Sequence, residues 1–207
     1  MSALDDAPWV EADDRATWRA WLEANHATSR GAWLVTWRPR SGRVGLDYEA
    51  AIEEALCFGW VDSTGGRVDD DRGKLYFAPR KPRSGWAATN KARVERLIAA
   101  GRMAPAGLAA IERARANGSW EVLDSVERLE VPDDLAAVLE AHPPGAANFA
   151  AFAPSARKQM LGWVAFAQRP ETRAARISQV ADAAARNERA GLGRQRRRRR
   201  TGDDAAE

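Results

Sequence analysis

ALCFGWVDSTGGRVDDDRGKLYFAPRKPRSGWAATN, residues 55–90, changes character several times along its length. Ala55 to Phe58 reads as the apolar end of a helix. Gly59 stops it, because a left-handed backbone costs glycine little. Trp60-Val61-Asp62 reads as a short strand, Ser63 to Gly66 as a turn, and Leu75 to Ala78 as a second strand closed by Pro79. Ser84 reads as the cap of a helix running to about Ala100. Trp86, Asn90, Val94, Leu97 and Ile98 lie along one side of it, and Gly101 ends it. Strands enclosed by helices point to an α+β protein.

The flanking sequence adds helices. Towards the N-terminus, Pro8-Trp9-Val10 is extended, and Asp13 or Asp14 caps a helix to about Asn25 with Trp18, Trp21 and Leu22 on one face. Ala32 to Arg38 alternates at period two, as a strand does. Asp47 caps a helix reaching Phe58, with Ile52, Ala55 and Leu56 inward. Towards the C-terminus, Pro105 opens a helix ending near Gly118. Leu123 to Val131 connects without a strong period. Helices then follow from Pro132, around Phe149 and Phe152, from Pro154 and from Pro170. Met160, Leu161, Val164, Ala167, Ile177 and Val180 are the expected inward positions.

The fold class expected is therefore α+β, mostly helical. A two- or three-stranded sheet carries helices on one side, and a C-terminal all-helical module follows. The tryptophans crowd into the first 86 residues and the C-terminal half is aliphatic. That shift separates an N-terminal α+β domain over 1–125 from a helical module over 126–190. Residues 191–207 form an arginine-rich tail with no apolar face to bury, expected to be disordered.

Composition excludes several classes. No apolar run approaches the ~20 residues of a membrane-spanning helix. The acidic start MSALDDAPWVEADD is unlike a secretory signal, so the expected location is cytoplasmic. A single cysteine, Cys57, rules out an internal disulfide and a thiolate zinc site. His26 and His142 stand far apart, and no carboxylates have ligand spacing, so neither a metal nor a cofactor is expected. Cys57 lies near the end of an apolar helix, where burial and not thiolate formation is favoured. The net charge of +3 resides in residues 194–207, so the high pI says nothing about the body.

The candidate binding residues cluster in the opening stretch. Arg80 follows Pro79 and can grip a carboxylate or phosphate through two parallel hydrogen bonds; the alternative is a salt bridge to Asp62 or another acid. Lys81 and Arg83 add positive potential. Ser84 begins a helix whose free N–H groups favour anions, although capping alone also explains a serine there. Asp62 is placed to hold a ligand or to cap a turn. Trp60, Trp86 and Asn90 line a pocket, or the tryptophans simply pack. Arg196, Arg197, Arg198, Arg199 and Arg200 offer salt-sensitive contact with nucleic acid or an acidic surface.

Several of these segments also carry a family likeness. Ala55-Leu-Cys-Phe-Gly-Trp-Val-Asp62, Phe77-Ala-Pro-Arg80, Ser84-Gly-Trp86 and Asn90-Lys91 occur in order. Val94 to Met103, Ala116 to Trp120, Pro132-Asp-Asp-Leu135, Phe149 to Pro154, Trp163 and Arg169 to Arg173 follow. Over roughly residues 9–190 the chain resembles the YdeI/OmpD-associated, or bacteriocin-protection, family. The resemblance implies a part in resistance to cationic antimicrobial peptides and an association with an outer-membrane porin. It carries no reaction and no catalytic residue.

Three functions follow as expectations. The first is a soluble, non-enzymatic binding or stress-protection protein. Its site, formed by Arg80, Ser84, Trp86, Asn90 and Trp60 with Asp62 opposite, takes a small anion or a peptide end, or serves a protein partner. The second is an enzyme on the same site, with Asp62 as acid or base and Arg80 as substrate clamp. The third is a nucleic-acid accessory protein acting through the arginine tail.

Overall fold

The computed structural model describes Leu4 and residues 6–191. The arginine run 196–200 lies outside the described residues. The chain divides into two compact units, Met1–Glu121 and Val122–Glu207.

In the first unit the order is β1 (Trp9–Glu11), α1 (Arg15–Asn25), β2 (Ala32–Trp37), α2 (Tyr48–Cys57), β3 (Trp60–Arg67), β4 (Arg72–Pro79), α3 (Ala88–Ala99) and α4 (Pro105–Ala116). Among the described residues the strands form one four-stranded sheet in the order β1-β2-β4-β3. β1 runs parallel to β2, and the other pairings are antiparallel. The caps at α1 and α2 are those the sequence indicates. Asp14 accepts from the Thr17 N–H at 2.8 Å and Asp47 from the Ala50 N–H at 2.7 Å.

The sheet is larger than the two or three strands expected. β3 and β4 form a long hairpin, and Ser63 to Gly66 belongs to a strand, not a turn. Residues 63–67 are exposed and polar, and a register shift between Asp62 and Gly65 breaks the alternation. These residues pair through backbone alone, so no apolar period marks them. The true turn is Val68 to Asp71, where the Asp69 carboxylate accepts from the N–H groups of Asp71 and Arg72 at 3.0 and 2.7 Å.

One sheet face, with Val10, Ala32, Leu34, Leu75, Phe77 and Trp60, packs on Trp18, Leu22, Ile52, Leu56, Val94 and Leu97 of the helices. Gly59, at φ +72, ends α2 and turns the chain directly into β3. Its carbonyl then accepts from the Arg80 backbone N–H at 3.0 Å. Ile98, expected inward on α3, is instead exposed.

The second unit is all-helical among the described residues: α5 (Asp124–Glu127), α6 (Asp133–Glu140), α7 (Gly145–Ala151), α8 (Pro154–Ala165) and α9 (Pro170–Ala185). Its own core contains Val126, Leu135, Leu139, Phe149, Met160, Leu161, Val164, Ile177 and Val180. The segment read as a plain connector thus contains one helical turn, which buries Val126. A single turn is too short to display a period. The α+β, mostly helical class holds for the chain.

Candidate functional site

The candidate site is built where α2, β3, the end of β4 and the start of α3 meet in the first unit. Arg80 is its centre. Its guanidinium stacks on the Trp86 ring with 3.9 Å between Cζ and the ring centroid. Nη1 donates to the Ser84 hydroxyl at 3.1 Å and to the Gly85 carbonyl at 2.9 Å. Nε is buried and has no protein acceptor. Among the described residues no carboxylate stands within 4.0 Å of the guanidinium nitrogens. Burial pushes the Arg80 guanidinium down to about 10, and nearby Asp62 offsets this only in part. The alternative of a structural salt bridge to Asp62 is therefore not what the side chain makes. A desolvated cation without a counter-charge is costly, and an anion in contact with it removes that cost.

Ser84 does not cap α3. The helix begins at Ala88, and its N-cap Ala87 makes no side-chain hydrogen bond to the helix. The anion site expected from a helix N-terminus at Ser84 is accordingly absent. Ser84 acts instead by holding Arg80. Pro82 and the Gly85-Trp86 pair keep the chain irregular up to Ala87, because the large Trp86 side chain enters the core while Arg80 covers its outer face.

Asp62 faces this arginine from β3. The Tyr48 hydroxyl donates to its Oδ2 at 3.2 Å. Burial, then the Asp62 charge, raises the Tyr48 phenol above its ordinary value. Asn90 is half-buried, and its side-chain oxygen accepts from Arg93 Nη1 at 2.8 Å. Arg93 is itself clamped by Glu49, with Nε–Oε1 at 2.8 Å and Nη2–Oε2 at 2.5 Å. Arg93 is thus neutralised where Arg80 is not. Asp62, Arg80, Ser84, Trp86 and Asn90 belong to one neighbourhood. Trp60 does not join them as a pocket wall. It is 1% exposed, sets its edge against Trp21 and donates its indole N–H to the His26 carbonyl at 3.4 Å.

Sequence reasoning missed Tyr48, Glu49 and Arg93, and a larger charged network beside them. Glu54, 1% exposed, pairs with Arg15 at 3.2 Å, with Arg19 at 3.0 Å and with Arg102. Glu53 pairs with Arg15 at 2.7 Å and Arg96 at 3.2 Å. The available signal was two acids inside the apolar run AAIEEALCF, which must meet cations to be buried. Cys57 lies fully buried, and burial followed by the Glu54 charge raises its thiol, so thiolate is disfavoured.

The second unit has a cleft of about 590 Å³ between α5, α8 and α9, lined chiefly by Leu123, Val126, Trp163 and Phe166. The Lys158–Glu127 ion pair at 2.6 Å stands at its rim. Among the described residues no group of His, Cys, Asp and Glu has the arrangement of a metal site, and no helix is long and apolar enough to cross a membrane.

Residues 10–110, which contain the Arg80 site, match a domain of unknown function, DUF8412. Residues 128–187 match the family described as bacteriocin-protection, YdeI or OmpD-associated. No curated protein and no solved structure matches the chain. The likeness read from the sequence over residues 9–190 is thus carried by the second unit, while the charged site belongs to the first. Residues 128–187 are therefore similar to the bacteriocin-protection, YdeI or OmpD-associated family, and the likeness extends no further along the chain.

Proposed function

We propose that the protein is a non-enzymatic binding protein with a protective role, and that its first unit captures a small anion or the carboxylate end of a peptide on Arg80. One observation carries this reading. Arg80 is desolvated and stacked on Trp86, one edge has no protein acceptor, and no carboxylate pairs with it. A protein that needed Arg80 only for packing would gain by placing an apolar side chain on Trp86. Fixing a guanidinium there by Ser84 and Gly85 prepares it for a ligand, since an ordered side chain loses little entropy on binding. The protective role is supported by the description of the family whose model residues 128–187 match.

Thermal unfolding of the full chain with acetate, succinate, inorganic phosphate and short peptides tests the reading, with the Arg80→Ala variant alongside. A ligand that binds only the folded state raises stability by about 2.7 kcal/mol at a hundredfold excess over its dissociation constant. The expected result is a shift in the parent that Arg80→Ala lacks. Equal shifts in both proteins, or none in either, contradict it.

A further inference from the structure

The ligand class can be narrowed from the charges that face one another across the site, taking the anion reading of Arg80 as its basis. We propose that the site takes a small amino-acid-type zwitterion, its carboxylate on the Nε–Nη2 edge of Arg80 and its ammonium on Asp62.

Four observations lead there. First, Nη1 of Arg80 is consumed by Ser84 and Gly85, whereas Nε and Nη2 make no hydrogen bond to protein among the described residues. That edge presents two parallel donors, the geometry that a carboxylate accepts in bidentate fashion. Second, the Tyr48 hydroxyl occupies Oδ2 of Asp62, and Oδ1 has no protein donor among the described residues. Third, Asp62 is near enough to act on the charge of Arg80, yet the two groups do not pair. Each is held on its own side, Arg80 by Trp86 and Ser84 and Asp62 by Tyr48, with its free edge kept for something else. Fourth, Arg93, which also lies near Asp62, is taken by Glu49 and Asn90.

Arg80 and Asp62 thus face each other with opposite charges, each incompletely satisfied. A simple anion meets Arg80 but is opposed by Asp62. A simple amine meets Asp62 but is opposed by Arg80. A molecule carrying both charges satisfies both groups at once. The exposed ring of Tyr48 supplies an apolar flank for the carbon chain between them.

Isothermal titration of the full chain at constant ionic strength tests this with glycine, β-alanine and 4-aminobutyrate, each beside its carboxylate counterpart acetate, propionate or butyrate. The expected result is that at least one amino acid binds about tenfold more tightly than its counterpart, as one added charge-assisted hydrogen bond provides. Asp62→Asn should reduce that preference to within about twofold and leave the carboxylates bound, because only the ammonium partner is lost. Tyr48→Phe, which keeps all charges, should reduce it in part. Arg80→Lys should weaken every ligand by about tenfold, since the two-donor edge is gone. Carboxylates that bind as tightly as the amino acids, with Asp62→Asn silent, overturn the zwitterion and leave the anion reading standing. Failure of all ligands to bind the parent overturns both. Circular dichroism of each variant separates lost binding from lost folding.

Discussion

Arg80 and Glu54 show opposite treatments of a buried charge. Glu54 is surrounded by Arg15, Arg19 and Arg102, so its burial is compensated. Arg80 is left with an aromatic face, a hydroxyl and a carbonyl. The first arrangement serves the fold and the second leaves chemistry to spare. Glu54→Gln should destabilise the first unit by about 3 kcal/mol, since it strands several guanidiniums while solvent screens their exposed ends. Glu23→Gln, which removes only the exposed partner of Arg19, should cost no more than about 0.5 kcal/mol. Chemical unfolding followed by tryptophan fluorescence measures both; equal losses would show that the Glu54 network is not what holds α2 in place. The Arg80 position was legible in sequence because Pro79 and the following basic residues mark it. Glu53 and Glu54 were not, because a helix period sorts apolar residues and is blind to which acids find arginines elsewhere in the chain.

At the scale of elements, local chemistry was readable wherever a side chain served its own backbone. Asp14 and Asp47 cap the helices they precede. Ser84 has the same composition cue, but its hydroxyl is engaged by Arg80 and the helix starts four residues later. A side chain four residues upstream, Arg80, takes the hydroxyl that a cap would have used. Consequently Ser84→Ala should not unwind α3, and its effect should appear in ligand binding. Ala87→Ser supplies the missing cap and should stabilise the first unit by about 1 kcal/mol. Loss of helix signal in Ser84→Ala, or no gain in Ala87→Ser, would place the helix start where the sequence alone put it. β3 was misread for a related reason. Its outer half is held by hydrogen bonds to β4 and shows no side-chain pattern.

The whole chain distributes fold and function unequally. Each unit has its own hydrophobic core, so each contains what an independent domain requires. Residues 122–207 expressed alone should retain a helical spectrum and melt cooperatively, with Trp163 as their only tryptophan reporter. A coil spectrum for that fragment would show that its core is insufficient by itself. The mostly helical α+β class was legible because proline, glycine and cap residues punctuate the chain at nearly every helix. The number of strands was not, because β1 has only three residues and half of β3 is polar.

The Nε–H of Arg80 can be followed on its own. The side-chain Nε–H resonance of Arg80, assigned by its loss in Arg80→Lys, would be followed by NMR while sodium acetate replaces sodium chloride at constant ionic strength. A saturable shift is expected, unchanged from pH 6 to 9. Binding should weaken as pH rises through about 10, where the folded guanidinium sheds its proton. Over that same window, up to the ordinary guanidinium value, the unfolded chain still holds the proton. The contribution of Arg80 to the stability of the free protein, read as the difference from Arg80→Ala, should therefore rise with pH there while anion binding falls. A resonance that moves no more with acetate than with chloride would contradict the anion role of Arg80 and leave it as a packing residue on Trp86.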